Sequence, residues 1–263
     1  FVQDVWVLAF GHVEPVVRFL STLLTALALA LVYRLAADLY DRRAALWTVA
    51  LLGSLSLFAY FVHEARPYAA LSAGTTGVML FTLRFARRPN RINGLLAFLF
   101  AGVTVYLHPF IVFVLIAQAL FLLIFLRLDR GLLLRAVGLL AAVALLALPR
   151  LILNFTSRGG RIGYALDTSW GSLEVLYDWI MFQPEALGVL LLGVGLVTPI
   201  RRIFPDRPSA HMRGGQNWRR WYPLVLLVLM LALTFTVNAY ANSLTPRNLI
   251  ILTPALALIA AYG

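Results

Sequence analysis

The chain has 263 residues, 62% of them hydrophobic and 13% charged, with a mean hydropathy of +0.87 and a formal net charge of +11. Soluble domains are about 45–50% apolar and roughly 25% charged, so an ordinary soluble domain is excluded and an integral membrane protein is indicated. The lack of cysteine excludes disulfides, Cys-ligated metals and thiol chemistry, and no basic, aromatic-laced soluble segment exists to carry a nucleic-acid surface.

In chain order, nine apolar segments are predicted as spans of an all-α polytopic membrane protein: 16–37, 44–62, 67–86, 94–107, 109–126, 133–149, 181–199, 222–239 and 248–263. The pair 94–107 and 109–126 is divided by His108-Pro109, a pattern that also fits one broken or re-entrant element. The chain begins at Phe1 and stops at Gly263 inside an apolar run, so a fragment truncated at both ends is expected, forming one transmembrane domain over 1–263.

Arginine placement predicts orientation. All 22 basic residues are Arg, and sixteen of them fall in the alternate connections 34–43, 84–93, 127–135 and 201–220. The positive-inside rule assigns these to the cytoplasm. Merging 94–126 into one element would reverse every later loop and spoil the division. The stretch 150–178 is then the long extracytoplasmic loop, and 200–221 is a basic cytoplasmic loop. The Asn154-Phe155-Thr156 triplet in the first of these is a sequon by pattern alone. Asp167, Trp170 and Tyr164 could meet a sugar by hydrogen bonding and stacking, or simply fold the loop on itself. There is no internal repeat.

The stretch FVHEARPY, 61–68, places ionisable groups at the outer seam between two apolar segments, where such groups usually face a cavity or each other. Spacing alone leaves two readings open. Glu64 and Arg66 form a solvated ion pair in an interfacial turn, with Tyr68 as an aromatic anchor. Alternatively, Glu64 orients Arg66 toward an outer cavity, where a planar guanidinium suits phosphate. His108 ends another segment on the same side, either as a structural interfacial histidine or as a donor to phosphate. Arg247 follows Pro246 just before the last apolar run. Three separate segments thus present Arg66, His108 and Arg247 at one face, which fits a pocket for an anionic lipid-linked group. No Walker A, G-x-G-x-x-G, H-E-x-x-H or G-x-S-x-G motif is present, and no cluster has metal-ligand spacing. No metal or cofactor is expected.

The runs EPVVRFLSTL (14–23), VYRLAADLYDRRAAL (32–46) and HEARPYAAL (63–71) together resemble the GT-C glycosyltransferases, most closely the protein-mannosyltransferase-like and aminoarabinose-transferase-like branch. Arg18, Ser21, Leu23, Tyr33 and the run Arg42–Leu46 stand at matching places. Glu64, Ala65, Arg66 and Tyr68 match the core of the Q-E-A-R-x-Y motif, with His63 in place of Gln. In PRNLIILTPALALIAAYG (246–263), Arg247 and Pro254 are in register. The resemblance covers 1–126 and 246–263, and the middle matches only in hydropathy.

It implies an inner-membrane, multi-pass enzyme that moves a sugar from a polyprenyl-phosphate donor to an acceptor on the extracytoplasmic side, inverting the anomeric carbon. The acceptor, whether protein, lipid or glycan, is left open. Arg66 and Arg247, then His108, are the expected donor-phosphate contacts, with Glu64, Tyr68 and His63 in support. The family's catalytic acid is expected upstream of Phe1, and Asp4 aligns after that motif and does not inherit its role. Composition and spacing leave other readings standing: a transporter or flippase for an anionic or lipid-linked substrate, a non-catalytic membrane scaffold, and a sugar-polymer polymerase or ligase.

Overall fold

The computed structural model describes residues 2–62, 64, 66–87, 89–125, 130–156, 218–241 and 245–262. The predicted span 181–199, most of the two long loops, Asp167, Trp170, Tyr164 and His63 lie outside these residues. Among the described residues there is no β-strand. The helices are α1 (Val2–Phe10), α2 (Glu14–Leu39), α3 (Arg42–Ser54), α4 (Ser56–Phe61), α5 (Tyr68–Arg87), α6 (Arg91–Leu107), α7 (Ile111–Phe125), α8 (Arg130–Thr156) and α9 (Trp218–Ala241). A 3₁₀ helix (Pro246–Leu252) then leads into α10 (Thr253–Tyr262).

Local chemistry sets the boundaries. Pro15 sits in the first turn of α2, where its missing N–H costs nothing. Asp41 caps α3 by accepting from Ala44 N at 2.8 Å, and Asn90 caps α6 by accepting from Asn93 N at 2.7 Å. Among the described residues three helices are long and apolar enough to cross a membrane: Glu14–Leu39, Tyr68–Arg87 and Trp221–Asn238. Shorter apolar helices, Arg91–Leu107 and Ile111–Leu123 among them, stand beside these.

Three differences from the sequence reading have physical causes. The span 44–62 is divided at Leu55, whose extended backbone (ψ 121°) separates α3 from α4. The Gly53-Ser54 pair before it is weakly helix-forming, and Ser54 Oγ donates back to Leu51 O at 2.9 Å. The fully buried Leu55 side chain holds the break in place. α8 runs through Pro149 to Thr156, so the first seven residues of the stretch read as an outer loop are helical. α1 was not predicted, because nine residues are too few for a span.

α5 is the hub. It is buried along nearly its whole length, and α2, α6 and α7 pack around it. It runs antiparallel to α6, with Gly74 facing Thr104, Gly77 facing Phe100, and Phe85 facing Gly94. Small residues let two helices approach closely where lipid offers no hydrophobic force to join them. α7 folds back beside α5 instead of continuing α6. Gln118 Nε2 donates to Tyr222 Oη at 2.5 Å, and Tyr222 Oη donates to Met79 O at 3.1 Å. One hydroxyl thereby ties α7, α9 and α5 together in the core.

Candidate functional site

The FVHEARPY turn hangs between α4 and α5. Val62 N closes α4 on Phe58 O at 3.1 Å, Glu64 N bonds Phe61 O at 3.3 Å, and Pro67 O accepts from Leu71 N at 2.7 Å to begin α5. The turn is tied to a distant helix at one point, where Ser21 Oγ of α2 donates to Glu64 O at 3.0 Å.

Glu64 and Arg66 form an ion pair, with Arg66 Nε 3.6 Å from Glu64 Oε2. The Arg66 side chain is 57% exposed and that of Glu64 30%, so the guanidinium stays largely solvated and the pair adds little stability. Glu64 Oε2 itself is shut off from water and makes no hydrogen bond. The carboxylate meets the guanidinium at Nε, so it does not occupy the Nη1/Nη2 edge. Tyr68 is not an exposed aromatic anchor. It is 6% exposed, and its ring packs edge-on against Phe61 at 5.3 Å.

Arg66 borders an open-sided cavity of about 610 Å³ between α2, α5, α6 and α8. α2 contributes Val17, Ser21 and Leu24, the start of α5 contributes Ala70, and α8 contributes Leu146. α6 contributes a stripe from Phe98 to Leu107, roughly 13 Å of helix at 1.5 Å per residue. Tyr106 Oη donates to Leu146 O at 3.1 Å, joining α6 to α8 along one wall. Among the described residues the lining is almost wholly apolar, and Arg66 is its one charged member.

His108 caps α6 beside the lining residue Leu107. Its backbone N bonds Thr104 O at 3.0 Å, and its Nδ1 accepts from Phe110 N at 3.3 Å. Accepting at Nδ1 makes Nε2 the protonated nitrogen of the neutral ring. His108 does not line the cavity. Arg247 lies in the 3₁₀ helix packed on α4 and α5, and its side chain, like His63, falls outside the described residues. Among the described residues no group of three or more His, Asp or Glu gathers as a metal site.

Sequence reasoning named Arg66 and Glu64 but missed Ser21 as a contact of the turn, since a bond spanning 43 positions leaves no local pattern. It also missed the cavity walls, whose apolar residues resemble any other span. Ser21→Ala removes one hydrogen bond of about 0.5–1.5 kcal/mol. Amide exchange at Glu64 is then expected to speed up roughly two- to tenfold while exchange in α5 stays unchanged. Equal exchange in both proteins would show that the tie does not restrain the turn.

The profile of the dolichyl-phosphate-mannose-protein mannosyltransferases matches residues 1–153. The chain belongs to this family. The matched stretch holds every described residue that lines the Arg66 cavity. In solved structures the chain is similar to ArnT from Cupriavidus metallidurans in the apo state, with TM-score 0.69 and 17% identity over 99% of this chain and 47% of that one. ArnT bound to undecaprenyl phosphate gives TM-score 0.61 and 18% identity over 99% of this chain and 48% of that one. The Archaeoglobus fulgidus oligosaccharyltransferase, tethered through a disulfide to an acceptor peptide containing the NVT sequon, gives TM-score 0.52 and 15% identity over 99% of this chain and 40% of that one.

At these identities the likeness is one of fold. It is the fold of a polytopic GT-C membrane glycosyltransferase, and the chain spans about half the length of the ArnT structures. No curated protein matches the chain.

Proposed function

We propose that the full-length protein transfers a sugar from a polyprenyl-phosphate donor to an acceptor on the extracytoplasmic face of the inner membrane, and that the Arg66 cavity holds the donor. The observation that carries this reading is one guanidinium at the end of a long, open-sided, apolar cavity. An isoprenoid tail suits the apolar walls, and a phosphate suits the unoccupied fork of Arg66. ArnT, which has the same fold, binds undecaprenyl phosphate. Arg247 and His108 belong to the same proposal as further phosphate donors. His108 caps α6 beside the lining residue Leu107, and Arg247 lies on an element packed on both helices that flank the turn.

In this mechanism the bond between the anomeric carbon and the phosphate oxygen breaks as the acceptor oxygen attacks from the opposite face. The anomeric configuration therefore inverts. The acceptor proton passes to a carboxylate, supplied from upstream of Phe1 as the family resemblance implies. The bonding electrons leave with the polyprenyl phosphate, whose growing charge Arg66 stabilises.

The test is transfer from radiolabelled polyprenyl-phosphate sugars by the full-length protein in liposomes, with Ala70→Phe beside the parent. Ala70 is half-buried in the cavity wall one turn from Arg66. Filling that space is expected to raise the donor KM at least tenfold while leaving the melting temperature within a few degrees. Undiminished donor affinity in a folded Ala70→Phe protein would put the tail elsewhere. No transfer by a folded parent from any such donor would end the glycosyltransferase assignment for this site.

A further inference from the structure

A guanidinium that binds phosphate needs no carboxylate beside it, yet Glu64 Oε2 lies 3.6 Å from Arg66 Nε. That oxygen is shut off from water and accepts no hydrogen bond. An ionised carboxylate oxygen ordinarily spreads its charge into donors or solvent; this one meets neither and faces the arginine. The backbone of the acid is fixed at both of its polar groups. Glu64 N bonds Phe61 O at 3.3 Å, and Glu64 O accepts from Ser21 Oγ at 3.0 Å. Ser21 lines the same cavity as Arg66, so the acid is held beside that cavity.

The charge of the ligand changes during transfer. The donor is a phosphodiester with a single negative charge. Breaking the bond between the anomeric carbon and the phosphate oxygen leaves a polyprenyl phosphate monoester, whose charge near neutral pH is about −1.5 to −2. A lone guanidinium would therefore hold the spent lipid more tightly than the substrate. Among the described residues the cavity lining has no further charge to reverse that order. Glu64 repels each negative charge on the ligand, and so repels the monoester more than the diester. The repulsion strengthens when a lipid tail displaces water and lowers the local dielectric.

We propose that Glu64 sets the charge selectivity of the Arg66 site: its carboxylate disfavours the monoester product relative to the diester donor, so that spent polyprenyl phosphate leaves. This rests on the reading of the cavity as the donor site. Glu64 acts through its charge on a bound phosphate; it takes up no proton and forms no bond in the reaction. It is not a wall residue of the cavity, and one sugar diester carries the same charge as another. The selection is between spent and loaded lipid.

The test uses the full-length protein in detergent micelles at mildly alkaline pH, where the monoester carries its second charge. Two probes share one tail: polyprenyl phosphate and its methyl phosphodiester. Their dissociation constants are read by calorimetry. The parent is expected to bind the two within about threefold of each other. Glu64→Gln keeps the shape and removes the charge. It is expected to tighten the monoester about tenfold more than the diester, the order expected for one extra like-charge repulsion, and to deepen product inhibition by a similar factor. Glu64→Asp keeps the charge and should keep the parental ratio. Glu14→Gln, two turns before Ser21 on α2 and paired with Arg18 at 2.6 Å, should keep it too.

The inference is overturned if Glu64→Gln leaves the ratio of the two constants as in the parent, or if Glu64→Asp or Glu14→Gln shifts it as far. Should Glu64→Gln not fold, the parent alone decides, and a monoester preference of about tenfold or more refutes the idea. Arg66→Ala separates this inference from the reading beneath it. If that variant binds both probes like the parent, the phosphate does not meet Arg66, and the donor reading falls together with the selectivity. If it weakens both probes while Glu64→Gln keeps the ratio, only the selectivity falls.

Discussion

Replacing Arg66 with alanine in the full-length protein is expected to lower sugar transfer about 10²–10³-fold, the loss typical of removing one positioned group that stabilises developing charge. Stability should change by only about 1 kcal/mol, because the guanidinium is more than half exposed and meets Glu64 Oε2 at 3.6 Å without a hydrogen bond. Arg66→Lys separates charge from geometry. Lysine keeps the cation but not the planar fork, so an intermediate loss of about tenfold is expected. The measurement is kcat and donor KM in liposomes, with binding of the sugar-free polyprenyl phosphate followed separately. If Arg66→Ala transfers at the parental rate, the guanidinium is an interfacial residue and the phosphate lies elsewhere.

The second large effect concerns the hub. A Cβ at Gly77 would overlap the Phe100 ring. That ring cannot simply retreat, because it stacks on Phe81 at 5.4 Å with an interplanar angle of 18°. Gly77→Val is therefore expected to destabilise the bundle by about 1–3 kcal/mol through overpacking of the α5–α6 seam. Activity should fall with it, since α5 and α6 both wall the cavity. Phe100→Ala removes the obstructing ring, so the double variant should be less unstable than the sum of the singles. Equilibrium unfolding in bicelles gives the four stabilities. Strict additivity, or a Gly77→Val protein as stable as the parent, would refute close packing at this crossing.

Much of the fold was legible in the sequence because a bilayer imposes long apolar runs. The division at His108-Pro109 carried its own signal, since proline removes a donor and restricts its predecessor, and α6 and α7 are separate helices there. The break at Leu55 carried none at the residue itself. It depends on the burial of one leucine among helices that only the tertiary structure assembles. The Gly74 and Gly77 pair was visible as composition, but its role needed the identity of the facing residues. The same division applies to the sites. Arg66 stood out because a charge at a membrane seam is costly. Its cavity did not, because lipid-facing and cavity-facing leucines read alike. Arg34, Arg84 and Arg87 were read only as loop charge, since Asp38 and Arg84, 46 positions apart, cannot be seen to meet before the chain is folded.

The near absence of polar groups in the Arg66 cavity has a consequence for selectivity. Among the described residues its walls offer one guanidinium, one buried serine whose proton is given to Glu64, and a tyrosine whose proton is given to Leu146. Telling one hexose from its epimer requires directed donors and acceptors that go unsatisfied with the wrong sugar, and this lining has few to offer. Such a compartment would hold any polyprenyl phosphate alike and would be indifferent to what the phosphate carries. Discrimination among sugars and acceptors would then belong to other parts of the protein, and a change in those parts could alter the product while the lipid compartment stayed as it is.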